Sequence, residues 1–136
     1  MNRYAPHENC IDVTAGLIAK DNKLLITRRV LPASFSGKWE FPGGKIEPKE
    51  TPEECLKREL LEELSIEVDI GKLLLVWEHD YGRKDGKQYR FFAFSCLITK
   101  GEPRLSVHDK MAWVRKEELS HFDFIEADKR LVETLA

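Results

Sequence analysis

The sequence predicts one domain over residues 1–136, of the α/β type: either α+β or a three-layer α/β/α arrangement. Three observations support this fold class: several short apolar stretches with the alternation typical of strands, one strongly capped helix, and a second helical segment near the C-terminal end. Apolar residues make up 42% of the chain, which is enough for the core of a single domain.

The composition argues against two classes of partner. The formal net charge is only −2 although 34% of the residues are charged, so attraction to nucleic acid polymers is not expected. No apolar run reaches the ~18 residues of a membrane span, and the N-terminal stretch lacks the apolar segment of a signal peptide. The 3 cysteines form no CxxC pair and are interpreted as reduced thiols. We therefore expect a cytoplasmic protein, monomeric or homodimeric, that binds neither nucleic acid polymers nor membranes.

The first elements are predicted to form a hairpin. Residues 11–19 begin with strand-like alternation, and residues 24–27 form a second apolar run after a turn at residues 21–23. The segments that follow are a loop at residues 32–37, a short strand at residues 39–41 and a sharp turn at residues 42–44.

A helix is predicted to begin after Thr51 and to end near Leu64. Thr51 has the character of an N-cap, Pro52 suits the first helical position, and Glu54 completes a capping box. A leucine every four residues marks the buried face of this helix: Leu56, Leu60 and Leu64.

The second half of the chain alternates strand and helix signals. The predicted elements are strands at residues 73–77 and 89–97 joined by a polar turn at 82–87, a short strand at 112–114, a helical turn at 116–119 and a terminal helix at 126–135.

Three carboxylates share one face of the capped helix. Glu59, Glu62 and Glu63 stand at i, i+3 and i+4, where like charges oppose helix formation by roughly 0.2–0.5 kcal/mol per pair. Mg²⁺ or Mn²⁺, which prefer oxygen ligands, would turn that repulsion into coordination. A face of this kind on an isolated helix is more often solvated surface, so the context of the helix decides between the two interpretations.

That context is a longer pattern. Gly44 is followed by five residues, Glu50, seven residues, the run 58–60 (Arg-Glu-Leu), one residue, the pair 62–63 (Glu-Glu), one residue, and the pair 65–66 (Ser-Ile). This pattern resembles the Nudix box, in which every invariant position matches except that Ser65 stands where the family has glycine. Since that glycine serves the loop after the helix, we expect backbone strain at Ser65 but no loss of a ligand.

The resemblance assigns roles to the residues of the box. Gly43 and Gly44 let the backbone approach the site, and the Gly43 carbonyl joins the carboxylates around a metal. Glu62 and Glu63 are direct ligands, and Glu59 binds a second ion or accepts a proton from the attacking water. Arg58 and Glu50 form an ion pair that holds the loop against the helix, the alternative for Arg58 being contact with substrate phosphate.

The similarity extends beyond the box to the MutT-type branch of Nudix hydrolases, through residues 25–29 and 38–47. It implies an α/β/α sandwich with a mixed sheet, and removal of pyrophosphate from nucleoside triphosphates, including oxidised or modified deoxynucleotides. It places Arg29 and Phe41 against the nucleotide and has Asp128 read the base edge. Gly44 and Lys45 are also expected to contact substrate, and Tyr81 could stack on a base, because aromatic faces tolerate any base. Alternatives stay open for four of them: Arg29 as a solvated charge, Phe41 as core, Tyr81 as a core or edge residue, and Asp128 as a helix N-cap.

One further position departs from the branch. Its members often carry a glutamate six residues before the late tryptophan, and here that position is Val107, which cannot bind a metal. His108 or Asp109 could replace it after a small shift of the loop, while a lone histidine there is more often a surface residue. Two other functions compete with triphosphate hydrolysis: hydrolysis of a dinucleoside polyphosphate or nucleotide sugar, and nucleotide sensing without turnover. Retention of all three box glutamates argues against the sensor.

Overall fold

The computed structural model describes residues 10–30, 36–82 and 84–135. The elements in chain order are β1 (Cys10–Lys20), β2 (Lys23–Arg29), β3 (Trp39–Glu40), α1 (Pro52–Leu64), β4 (Glu67–His79), β5 (Gln88–Lys100), β6 (His108–Val114), a 3-10 helix (Lys116–His121), a second 3-10 helix (Glu126–Asp128) and α2 (Lys129–Leu135). Residues 32–35 of the predicted loop and residue 83 of the predicted turn lie outside the described ranges. No helix in the described part of the chain is long and apolar enough to cross a membrane.

The strands form a six-stranded mixed sheet in the order β3-β2-β1-β5-β4, with β6 paired to β2. β1 and β5 run parallel at its centre, and the other pairs are antiparallel. The predicted hairpin is confirmed, and its turn residues Asp21 and Asn22 both have positive φ, as the tight turn between twisted strands requires. The mixed sheet that the resemblance implied is therefore present.

Helices cover both faces of the central strands, because successive side chains of a strand point to opposite sides. On one face, the leucine stripe of α1 packs against Phe92 and Phe94 of β5. On the other face, Leu131 of α2 packs with Phe91 and Ala93 of the same strand. Each leucine of the α1 stripe is fully buried, which stabilises the domain by roughly 1.5–3 kcal/mol per side chain. The three-layer arrangement follows from this alternation.

The bounds of α1 agree with the prediction at both ends. The Thr51 hydroxyl accepts a hydrogen bond from the Glu54 amide at 3.1 Å, and the Glu54 carboxylate accepts one from the Thr51 amide at 2.9 Å. The helix ends at Leu64, and its C-cap residue Ser65 has φ 58° and ψ 34° in the left-handed region. The strain expected at this non-glycine position is thus a feature of the backbone where the chain leaves α1.

Replacing Ser65 by glycine is expected to stabilise the protein by about 1 kcal/mol. A side chain in the left-handed region costs roughly 1–2 kcal/mol, and the greater freedom of glycine in the unfolded chain offsets only part of that gain. Urea denaturation measures the difference. Ser65→Ala is the matched control, since it removes the hydroxyl and keeps the Cβ. Equal stability of the two variants would show that the backbone conformation is not the source of the effect.

The terminal helix differs from the prediction in its first turn. Residues 126–128 form a 3-10 turn, and the α-helix begins only at Lys129. Asp128 directly precedes α2, and its carboxylate is directed inward, where it accepts a hydrogen bond from the amide of Phe41.

Candidate active site

The glycine turn that follows β3 lies against β1. The Thr14 amide donates to the Gly44 carbonyl at 2.8 Å, and the Gly16 amide donates to the Pro42 carbonyl at 2.7 Å. Because carbonyls alternate in direction along an extended segment, the Gly43 carbonyl between these two is directed away from β1. The carbonyl that the sequence predicts as a metal ligand is thus not used to hold the turn on the sheet.

Both glycines of the turn are sterically required, but by different neighbours. A Cβ added to Gly44 would lie 2.3 Å from the carboxyl carbon of Glu59 on α1. A Cβ added to Gly43 would lie 2.1 Å from the carbonyl oxygen of Thr14 on β1. The turn is therefore enclosed between the backbone of the sheet and the carboxylate of the helix.

Alanine at these two positions is expected to produce opposite defects. Gly44→Ala should lower kcat/KM by at least about tenfold with little loss of stability, because the Glu59 carboxyl is the end of a flexible side chain and can move aside. Gly43→Ala meets rigid backbone and should lower the free energy of unfolding by about 1–3 kcal/mol. Steady-state kinetics and urea denaturation of both variants separate the two effects, and the reverse pattern would contradict the geometry.

Arg58 organises the outer part of the site. Its guanidinium donates to the Glu50 carboxylate at 2.6 and 3.0 Å, to Glu59 at 3.0 Å, to Glu62 at 3.3 Å and to the Lys45 carbonyl at 3.2 Å. The hydrogen bonds from Arg58 lower the pKa of Glu50 to about 2, and those carboxylates raise the pKa of Arg58. The predicted ion pair between helix and loop is present in the structure.

Glu59 and Glu63 are brought together at the inner end of this network. Burial raises the pKa of Glu63 to about 8, and the negative charges of Glu59 and Glu40 add to the shift. The Oε2 atom of Glu63 is buried and has no hydrogen-bond partner in the described part of the protein. Two carboxyls that repel one another, one of them with a buried oxygen that lacks a donor, are suited to a divalent cation.

Glu62 is placed differently from its two neighbours. Its side chain is 59% exposed and accepts from Arg58. Within residues 10–30, 36–82 and 84–135, no three His, Cys, Asp or Glu side chains are already arranged as a metal-binding group. The structure therefore gathers Glu59 and Glu63 beside the glycine turn, whereas Glu62 has to rotate to join them.

Glu40 of β3 is a site residue that the sequence did not single out. Its carboxylate accepts from Arg29 Nη1 at 3.1 and 3.3 Å and contacts Nε2 of His108 at 2.7 Å. The Arg29 side chain is thus an ion-pair partner and not a purely solvated charge. The alternation of β3 could have indicated an inward-facing Glu40, but its two partners come from β2 and β6, and no local pattern predicts those contacts.

His108 and Asp109, the two candidates to replace the missing glutamate, lie in different environments. Val107 is exposed, and Asp109 lies on the surface in an ion pair with Arg28. His108 is buried, with its side chain only 1% exposed. The interpretation of His108 as a surface residue is wrong, and Asp109 does not reach the site.

A cavity of about 480 Å³ opens between the glycine turn and the second 3-10 helix. Its wall includes every residue that the sequence predicted against substrate, namely Arg29, Phe41, Gly44, Lys45, Tyr81 and Asp128. Glu40 and Tyr89 also line it. Phe41 is buried and stacks on Phe124, so it belongs to the core as well as to the wall. A cavity of this size suits a nucleotide-sized ligand.

Tyr81 lies at the rim of this cavity, in the segment between β4 and β5. Its ring meets His79 and Tyr89 edge to face, with centroid separations of 4.4 and 4.8 Å. Burial raises the pKa of Tyr81 to about 12. The residue is therefore outside the strands, and its neighbours hold it as an aromatic wall of the cavity.

Asp128, the last residue of the second 3-10 helix, lines the cavity. Its Oδ2 accepts from the Phe41 amide at 2.9 Å, and the residue is 3% exposed. Burial, and next the charge of Glu40, raise the pKa of Asp128 to about 8. The raised pKa favours the protonated carboxyl, which offers one hydrogen-bond donor beside its acceptors.

Cys55 lies close to the site without joining its chemistry. The thiol is buried beneath the glycine turn, 3.5 Å from the Gly44 carbonyl and 3.4 Å from the Lys45 carbonyl. Burial raises the pKa of Cys55 to about 11, which keeps it a thiol. The sequence-based interpretation of Cys55 as a small core residue agrees with this environment.

Comparison with known proteins gives consistent results. Residues 11–135 match the NUDIX domain family. The chain is 32% identical to the CTP pyrophosphohydrolase of Escherichia coli (strain K12), over 90% of this chain and 89% of that protein. It is also 32% identical to the 8-oxo-dGTP diphosphatase of Haemophilus influenzae, over 92% and 90% of the two chains. Among solved structures, the MutT NUDIX hydrolase from Burkholderia pseudomallei superposes with a TM-score of 0.82 at 25% identity, covering 95% and 100%.

Proposed function

The chain belongs to the NUDIX family, and from this premise we propose that it hydrolyses a nucleoside triphosphate to the monophosphate and pyrophosphate. The observation that carries the proposal is the Glu59–Glu63 pair, in which the Glu59 carboxyl packs against Gly44, a residue that lines the cavity of about 480 Å³. The two relatives compared above are named for cleavage of nucleoside triphosphates, and modified deoxynucleotides are included in the proposal. We propose that residues 1–136 form a single domain.

We propose Mg²⁺, with Mn²⁺ as a substitute, as the cofactor. Glu62, Glu63 and the Gly43 carbonyl would hold the ion, while Glu59 would bind a second ion or act as the base. The unpartnered Oε2 of Glu63 is the observation that fits the ion. When bound, the ion neutralises polyphosphate charge and lowers the pKa of a water molecule. Arg58 supports the arrangement by fixing the Glu59 carboxylate through a 3.0 Å hydrogen bond.

The residues of the cavity orient the rest of the nucleotide. Asp128 reads the base edge with one donor and one acceptor, and Tyr81 offers a ring face on which a base can stack. Lys45 and Arg29 supply positive charge along the wall between the two ends. Phe41 closes the floor and keeps water from the base.

The proposed reaction consumes one water molecule and breaks one phosphoanhydride bond. The water oxygen forms a bond to phosphorus as the bridging phosphorus–oxygen bond breaks, and pyrophosphate leaves. Glu59 accepts the proton of the attacking water, a role for which its position beside the glycine turn suits it. The remaining contribution of the chain is the positioning of these groups.

A nucleotide panel tests the proposal. The purified protein is incubated with Mg²⁺ and each common ribo- and deoxynucleoside triphosphate, 8-oxo-dGTP, a dinucleoside polyphosphate and a nucleotide sugar. Pyrophosphate and inorganic phosphate are measured separately. We expect pyrophosphate and nucleoside monophosphate from at least one triphosphate, and no turnover when EDTA replaces the metal.

Each other outcome contradicts a defined part of the proposal. Phosphate released without pyrophosphate contradicts the assigned bond. Turnover confined to the dinucleoside polyphosphate or the nucleotide sugar assigns a different substrate class. Absence of turnover with every compound favours a nucleotide sensor. A Glu63→Gln preparation purified in parallel excludes a contaminating phosphatase. We further propose that the protein acts in the cytoplasm, as a monomer or homodimer.

A further inference from the structure

Two buried polar side chains that the proposed reaction does not use lie against the glycine turn. Thr14 of β1 is 2% exposed, and Cys55 of α1 is fully buried. The Thr14 hydroxyl and the Cys55 thiol lie 3.5 Å apart. Because buried polar groups are hydrogen-bonded in folded proteins, the partners of this pair indicate what the pair does.

The partners are backbone groups of the turn. The Gly44 amide donates to the Thr14 hydroxyl at 3.4 Å, and the same hydroxyl can donate to the Gly44 carbonyl at 3.2 Å. The Cys55 thiol lies 3.5 Å from the Gly44 carbonyl and 3.4 Å from the Lys45 carbonyl, within donating distance of both. The pair therefore binds the peptide groups on both sides of Gly44.

The contact between Thr14 and the Gly44 amide fixes the direction of a neighbouring carbonyl. The Gly44 amide and the Gly43 carbonyl belong to one peptide group. Because a peptide group is planar and trans, its N–H and its C=O point in opposite directions. An amide held toward the Thr14 hydroxyl on β1 therefore directs the Gly43 carbonyl away from β1, which is the direction required of the proposed metal ligand.

Cys55 links this peptide to the helix of the carboxylates. It lies one helical turn before Glu59 on α1, and its thiol approaches the turn from the helix side. A Cβ on Gly44 would meet the Glu59 carboxyl at 2.3 Å, so the turn and the carboxylate are in close contact. A contact between Cys55 and the Gly44 carbonyl thus limits movement of the turn relative to Glu59.

We propose that Thr14 and Cys55 are positioning residues that hold the Gly43 carbonyl in the orientation of a metal ligand. Thr14 acts on the Gly43–Gly44 peptide from the sheet, and Cys55 acts on the following peptides from the helix. Neither side chain touches the metal or the substrate in this role. The inference rests on the proposed function, because it requires a divalent cation beside the turn.

Thr14→Val tests the sheet side of the pair. The substitution keeps the shape of the side chain and removes the acceptor of the Gly44 amide. Mn²⁺ affinity, measured by titration without substrate, is expected to weaken by about 10- to 100-fold. The Mg²⁺ concentration that gives half-maximal activity should rise in parallel. Thr14→Ser keeps the hydroxyl and should stay within about threefold of wild type in both measurements.

Cys55→Ala tests the helix side and has a matched control. Its Mn²⁺ affinity is expected to weaken by at least about threefold. Cys96→Ala removes another buried thiol, which contacts the Phe94 carbonyl at 3.6 Å within β5, and should leave Mn²⁺ affinity within about twofold of wild type. Equal weakening in the two alanine variants would assign the effect to general destabilisation and overturn the role of Cys55.

The titrations separate this inference from the proposed function. Wild-type turnover of a nucleotide, together with unchanged Mn²⁺ affinity in Thr14→Val, overturns the inference and leaves the proposed function intact. Mn²⁺ binding by a wild-type protein that turns over no nucleotide contradicts the proposed function, and the variant titrations still decide the inference. Absence of Mn²⁺ binding by the wild type contradicts both. Thermal denaturation is recorded for each variant, and the two cysteine variants decide the inference if Thr14→Val does not fold.

Discussion

Replacing Glu63 by glutamine is expected to lower kcat by about 100- to 10,000-fold while the fold stays intact. The substitution keeps the shape of the side chain and removes the charge that a divalent cation requires. Burial raises the pKa of Glu63, and the repulsion from the neighbouring Glu59 carboxylate adds to the shift. A neutral amide relieves that repulsion, so the variant should be no less stable than the wild type at pH 8 and above.

Glu53→Gln is the control for this change. Glu53 lies in the exposed first turn of the same helix, and its replacement by glutamine is chemically identical to the change at Glu63. Its kcat is expected to stay within about twofold of wild type. Binding of Mn²⁺, measured by titration without substrate, should weaken by at least about tenfold in the Glu63 variant alone. Near-normal turnover or unchanged Mn²⁺ affinity in Glu63→Gln would remove Glu63 from the metal site.

The sequence predicts the catalytic helix well because its signals are local. Thr51, Pro52 and Glu54 fix the start of α1 within one turn, and the leucine stripe fixes the buried face. The box residues depend on the same helix and on the turn that it packs against. Their proximity therefore follows from the pattern of one short segment.

The sequence did not predict the contacts between segments that are distant along the chain. Glu40 and His108 are separated by 68 positions, and they meet only because β3 and β6 both pair with the end of β2 that contains Thr27 and Arg28. The extent of β4 was underestimated for a related reason. It begins at Glu67, before the predicted residues 73–77, because register shifts near Gly71 interrupt the alternation while pairing with β5 continues.

Replacing Asp128 by asparagine is expected to make the protein more stable than the wild type by an amount that grows with pH. The folded-state pKa of Asp128 is about 8, well above the ordinary value for aspartate, because the carboxyl is buried. At a pH between the ordinary pKa and the folded-state pKa, the folded protein holds a proton on Asp128 that the unfolded chain has released. Rising pH therefore removes stability, by up to about 1.4 kcal/mol per pH unit for one proton.

The asparagine variant has no titrating carboxyl at this position. It keeps the hydrogen bond from the Phe41 amide, because its amide oxygen can accept as the Asp128 carboxylate does at 2.9 Å. Urea denaturation at pH 5, 6, 7, 8 and 9 should give a difference between Asp128→Asn and wild type that increases up to about pH 8 and then levels off. Asp69→Asn, at an exposed position on β4, is the matched control and should follow the wild-type curve. Parallel curves for Asp128→Asn and wild type would mean that Asp128 is already ionised in the folded protein, and that the base edge meets two acceptors instead of a donor and an acceptor.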